Sequence, residues 1–136
     1  MQIGAIAGAL MIAWSGLAAQ QYAEATTDSF LVFFDWGKPD LRSDDVATLD
    51  QVAAAYDAHP GSRLQLSGHT DRSGSVATNR AAGLKRAEAV RAELEKRGIP
   101  GNAMTVASFG EKRPLVPTED GVREVQNRRV EIVIEE

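Results

Sequence analysis

The stretch that most constrains this 136-residue chain runs from Leu66 to Val90. Leu64 and Leu66 alternate with Gln65 and Ser67, the period-2 signature of a strand with one buried face. Gly68 and Gly74 then bracket a polar loop, His69-Thr70-Asp71-Arg72-Ser73. Beyond it Gly83, Ala87, Val90 and Leu94 fall on one helical stripe. A polar loop between a strand end and a helix start is exposed, held by two rigid elements, and supplied with unpaired backbone N–H groups. It is a suitable seat for a polar ligand.

The remaining elements follow from pattern and punctuation. Ser29 to Phe34 is apolar almost throughout and predicts a strand central in its sheet. Gly37 and Pro39 make Asp35 to Leu41 a loop. Ser43 is a suitable N-cap, with Asp44 and Asp45 at the positive end of a first helix. Val46, Leu49, Val52, Ala53 and Tyr56 form its buried face, and Pro60-Gly61 ends it. The second strand spans Arg63 to Ser67 and the second helix Val76 to Arg97, closed at Gly98 with Ile99 as the apolar partner of a Schellman cap. Ala103 to Phe109 is the third strand. A long loop follows, with Pro114, Pro117 and one helical turn near Val122 to Gln126. The last strand, Arg128 to Ile134, sets Val130, Ile132 and Ile134 against Arg129 and Glu131. The order β-α-β-α-β-β predicts an α+β two-layer sandwich: a four-stranded mixed sheet with two main helices on one face.

Composition narrows the function classes. A chain that is 43% hydrophobic and 25% charged is globular, and a net charge of −4 argues against nucleic acid as its partner. It has no cysteine, so disulfides, thiolate metal sites and lipidation of a cysteine within it are excluded. Residues 1–22 hold an uncharged 17-residue run, Ile3 to Ala19. The small residues at its end favour an export signal, although no Lys or Arg precedes the run. A membrane anchor is the rival, at the short limit for a bilayer core, and a glycine-rich packing segment is the third reading. Residues 23–28 are then a linker and 29–136 the folded domain.

Several residues invite chemistry. Asp71, taken alone, is most simply a loop aspartate that caps a helix or closes an Asx-turn. Arg86 beside Ala87 lies at the edge of the sheet-facing stripe, although a helical arginine is usually solvated. Asn79 is equally a surface residue or a site residue. His69 has only His59 as a possible partner, and no His-Glu-x-x-His or similar ligand set exists. No nucleophile elbow appears either. Neither an enzyme nor a metal or cofactor is expected.

Together these blocks carry a resemblance. Gly68-His69-Thr70-Asp71, Asn79, Arg86-Ala87, Arg97-Gly98-Ile99, Phe109-Gly110-Glu111 with Pro114, and Asn127-Arg128-Arg129-Val130-Glu131-Ile132 resemble the OmpA-like peptidoglycan-binding domain, as does Phe34-Asp35 upstream. The resemblance covers Phe30 to Ile134. It implies a non-enzymatic periplasmic module, associated with the cell wall or outer membrane of a Gram-negative bacterium, that binds the diaminopimelate of the peptidoglycan stem peptide. Membrane contact would come only through residues 3–19, if uncleaved. In such a site Asp71 accepts the diaminopimelate ammonium and Arg86 grips the carboxylate beside it; a planar guanidinium can do so with two parallel bonds. Asn79 matches a ligand-contacting asparagine, while Thr70 and the backbone around Phe34 and Asp35 line the groove. Arg128 stands near the pocket or pairs structurally with Asp35 or Asp71. The alternative function is an interaction module of the same fold that contacts an envelope protein partner without binding the wall. Two departures stand out. Ala82-Gly83 replaces the usual Leu-Ser, and an interior helical glycine costs about 1 kcal/mol against alanine unless it admits a closer helix–sheet approach. The loop Gly121 to Gln126 is longer by two residues than usual, which leaves the role of Arg123 open.

Overall fold

The computed structural model describes residues 28–136. The apolar run and all but the last residue of the linker lie outside the described residues. Strand β1 (Asp28–Phe33) leads through a loop and a 3-10 turn (Ser43–Asp45) into helix α1 (Val46–Ala58). Then come β2 (Arg63–His69), α2 (Val76–Lys96), β3 (Met104–Gly110) and β4 (Arg129–Glu135). The sheet order is β1-β4-β2-β3. β2 and β3 are parallel and joined by the α2 crossover, whereas β4 runs antiparallel to both β1 and β2. This is the expected two-layer α+β architecture.

Burial follows the strand period. Leu64 and Leu66 of β2 and Val130, Ile132 and Ile134 of β4 are buried beneath the helices, against Leu49 and Val52 of α1 and Ala87, Val90 and Leu94 of α2. Each such aliphatic side chain contributes roughly 1.5–3 kcal/mol relative to exposure. Among the described residues no helix is long and apolar enough to cross a membrane.

Five expectations need correction. β1 is an edge strand, not a central one, because it pairs with β4 alone. Its apolar run is divided between the faces: Val32 is buried under the helices while Leu31, on the face no helix covers, is exposed. Ser43 does not cap α1 with its side chain; it opens the 3-10 turn, and α1 begins at Val46, itself exposed. β2 does not stop at Ser67. It continues through Gly68 and His69, which pair with Ser108 and Gly110 across a bulge, so the polar loop starts at Thr70. The turn expected at Val122 to Gln126 is a 3-10 turn at Val125–Asn127, and β4 starts one residue later than expected, at Arg129.

Both ends of α2 are fixed locally. Ser75 caps the start by accepting the N–H of Thr78. At the other end Gly98 adopts φ +95°, and the N–H groups of Gly98 and Ile99 bond back to Glu95 and Leu94, with Ile99 buried. This is the expected Schellman cap. The glycine departure at position 83 also has a physical reason. A Cβ on Gly68 would stand 1.8 Å from the Gly83 carbonyl oxygen, and one on Gly83 would stand 2.3 Å from the Ser108 hydroxyl. Helix and strand meet backbone to backbone, and the Ser108 hydroxyl donates to the Arg80 carbonyl at 2.7 Å. That contact sets α2 low over the end of β2, beside the polar loop.

Candidate functional site

Three loops meet over the carboxyl end of β2: the β1–α1 loop, the β2–α2 loop and the long β3–β4 loop. They enclose a cavity of about 170 Å³ whose walls include Trp36, Thr70, Asp71, Asn79, Arg86 and Arg128. Five of the seven residues singled out from sequence therefore line one space. Phe34 and Asp35 do not line it, but their carbonyls accept from Arg128 and Arg86.

Asp71 is the hub of the loops. One carboxylate oxygen accepts both the N–H and the hydroxyl of Ser73, at 3.1 and 2.6 Å, which is the Asx-turn its position suggested. The other accepts the N–H of Glu124 at 3.1 Å and a guanidinium N–H of Arg128 at 2.8 Å. Burial raises the Asp71 pKa, but the bonds from Ser73, Arg128 and the Glu124 backbone outweigh it, and the net value lies below the ordinary carboxylate range. Arg128 also donates from Nε to the Phe34 carbonyl at 3.0 Å. The structural pairing anticipated for Arg128 is thus with Asp71, not Asp35.

Arg86 is different. It is only 4% exposed, yet its partners are three backbone carbonyls: Lys38 at 3.3 Å, His69 at 3.3 Å and Asp35 at 3.4 Å. Its guanidinium carbon also lies 5.5 Å from the centroid of the Phe34 ring. Among the described residues no carboxylate lies within ion-pairing distance of it. Burial, and then the positive charge of Arg128, push its pKa down, with Asp71 opposing. The guanidinium is thus buried on long, neutral contacts and lines the cavity. Beside it the hydroxyl of Thr70 is buried and has no hydrogen-bond partner among the described residues, while its N–H is held by the Gly110 carbonyl.

Asn79 is buried, not a plain surface residue. Its amide donates to the Asp71 carbonyl at 3.2 Å and to Glu111 at 3.0 Å. Glu111 also accepts from Arg72 at 3.4 Å. Glu111 and Trp36 were not assigned to the site from sequence. Phe109-Gly110-Glu111 was legible as a block, and a tryptophan two residues after Phe34 was a usable signal. His69 lies outside the cavity, on the uncovered face of the sheet, stacked on Phe109 at 5.5 Å between centroids. Among the described residues no cluster of His, Asp and Glu could hold a metal ion.

The comparisons with known proteins agree with this fold. A model of the OmpA family matches residues 33–128, most of the chain. The chain belongs to the OmpA family. A peptidoglycan-associated lipoprotein of Rhizobium meliloti is 37% identical over 103 residues, covering 76% of this chain and 58% of the relative. An outer membrane protein of Gluconacetobacter diazotrophicus is 37% identical over 112 residues, covering 78% of this chain and 30% of the relative. The chain thus spans about a third to somewhat over half the length of these relatives. The crystal structure of the peptidoglycan-associated lipoprotein from Burkholderia pseudomallei superposes with a TM-score of 0.72 at 33% identity, covering 77% of this chain and 89% of that one. The periplasmic domain of Helicobacter pylori MotB shares the OmpA-like fold, with a TM-score of 0.67 at 20% identity over 80% of this chain and 76% of that one.

Proposed function

We propose that this OmpA-family domain binds the peptidoglycan stem peptide non-covalently, through the zwitterionic end of diaminopimelate, and so tethers a cell-envelope component to the wall. The observation that carries this reading is Arg86. Its buried guanidinium has no anionic partner among the described residues and faces a cavity large enough for an amino-acid terminus. A ligand carboxylate there would replace long carbonyl contacts with a charge-assisted, bidentate pair. The Asp71 carboxylate in the same cavity supplies the negative charge for the ligand ammonium, and the Thr70 hydroxyl, without a hydrogen-bond partner among the described residues, adds a third point of contact. Arg128 positions Asp71 and holds it ionised. The names of the relatives, peptidoglycan-associated and outer membrane proteins, support the cell envelope as the compartment and wall binding as the task.

Co-sedimentation with purified Gram-negative sacculi tests the proposal. Wild-type protein is expected in the pellet and Arg86→Met in the supernatant. A charge-assisted contact of this kind contributes about 1.5–3 kcal/mol, roughly tenfold or more in affinity. Equal pelleting of both proteins would contradict the assignment.

A further inference from the structure

The rim of the cavity carries a second cationic position. Trp36 lines the cavity yet is 49% exposed, and its indole N–H donates to the Ser73 hydroxyl at 3.0 Å. The guanidinium of Arg123 lies 3.5 Å from the centroid of the Trp36 ring, so the ring is a seat that fixes the charge. The loop that bears Arg123 is pinned on both sides of it. The Gly121 N–H bonds to the Arg72 carbonyl at 2.9 Å, and the Glu124 N–H bonds to the Asp71 carboxylate at 3.1 Å.

Arg123 nevertheless has no carboxylate partner among the described residues. Its acidic neighbours are engaged elsewhere: Asp120 lies 3.9 Å from Arg72, and Glu124 accepts the N–H of Gln126. The cavity wall itself holds two guanidinium groups, Arg86 and Arg128, against the single carboxylate of Asp71. A diaminopimelate zwitterion adds no net charge, so a cationic surplus remains after it binds, and Arg123, held on the ring of the lining residue Trp36, adds a further positive charge. A ligand with a further carboxylate close to the zwitterionic centre would balance it.

We propose that Arg123, seated on Trp36, is a second carboxylate subsite that reads a free carboxylate on a stem residue adjacent to diaminopimelate. This rests on the stem-peptide reading of the cavity. Two neighbours can supply the group. A glutamate linked through its side-chain carboxyl leaves its α-carboxylate free before diaminopimelate, and a C-terminal alanine carries one after it. The site would then discriminate walls whose glutamate is amidated from walls whose glutamate is not, or processed stems from unprocessed ones.

Calorimetric titration of the full chain tests this with three synthetic tetrapeptides, alanyl-γ-glutamyl-diaminopimelyl-alanine and its two singly amidated forms. One carries a carboxamide on the glutamate α-carboxyl and the other a C-terminal amide. One of the two amidations is expected to weaken binding to the wild type by about threefold to tenfold, the range of a partly exposed ion pair; which one identifies the neighbour. Arg123→Ala is expected to bind all three peptides alike, and Arg123→Lys to retain part of the discrimination. If neither amidation matters to the wild type, or if Arg123→Ala still discriminates, the subsite is refuted while the diaminopimelate pocket stands. If the unmodified tetrapeptide fails to bind at all, both proposals fall.

Discussion

The uncovered face of the sheet buries one guanidinium and the loop-bearing end buries two, and among the described residues only one of the three has no carboxylate partner. On the uncovered face Arg129 grips Glu131 through two nitrogens, Nε at 2.9 Å, and donates to the carbonyls of Arg113 and Asn127. His69 packs beside them, 2% exposed, with Nε2 3.6 Å from Glu131. Here the charge is matched by a carboxylate. On the loop-bearing end Arg128 has its carboxylate, Asp71, but Arg86 has only carbonyls and a cavity. A buried arginine with its own carboxylate is part of the structure. One without a carboxylate has only neutral contacts to offset the cost of its burial.

Removing the carboxylate of the matched pair breaks this contrast most severely. Asp71→Ala leaves Arg128 buried without compensation and releases Ser73 and Glu124. The expected loss is about 3 kcal/mol or more, read as a lower urea midpoint, together with loss of wall binding. A variant of native stability would show that the Asp71 hub does not hold the three loops together.

The uncovered face has its own signature in pH. Burial, then the charge of Arg129, hold the His69 pKa down to about 4 against the opposing charge of Glu131, with Arg113 also lowering it, whereas the unfolded chain protonates this group near 6.5. Between those values the unfolded state binds the extra proton. Stability therefore falls as pH drops from about 6.5 toward 4, by on the order of 3 kcal/mol from this group. Asp71, held below the ordinary carboxylate range by its bonds from Ser73, Arg128 and the Glu124 backbone against the opposing effect of burial, adds a loss at lower pH. His69→Phe is expected to flatten the upper window and leave the lower one. Parallel wild-type and mutant curves between pH 4 and 6.5 would refute a neutral buried imidazole.

The smallest stability effect belongs to the unmatched arginine. Arg86→Met removes a buried charge that no carboxylate compensates, so thermal unfolding is expected to shift by less than about 1 kcal/mol in either direction, while wall binding is lost. A collapse in stability equal to that of Asp71→Ala would make Arg86 a structural residue like Arg128.

How far the sequence foretold this arrangement depended on whether a local signal existed. The strand at Leu64–Leu66, the α2 stripe and the Gly98 cap each follow from periodicity or one backbone requirement, and all are present. β1 is an edge strand because strand order is a long-range property, and a run such as Phe30-Leu31-Val32-Phe33 does not say which face is covered. The convergence of Thr70, Asp71, Asn79, Arg86 and Arg128 was legible from the OmpA-like blocks. Their electrostatic difference was not, since it depends on which carboxylate reaches which guanidinium. Trp36 and Arg123 lie 87 residues apart in sequence, and nothing local in either loop announces the contact between them.

The central claim, that Arg86 awaits a ligand carboxylate, is tested most directly by calorimetric titration of the wild type with two stem tripeptides that differ only at the third residue. The diaminopimelate peptide carries the extra carboxylate, and the lysine peptide lacks it. The diaminopimelate peptide is expected to bind at least about tenfold more tightly, and Arg86→Met to abolish the difference. Equal affinities of the wild type for the two peptides would contradict the claim.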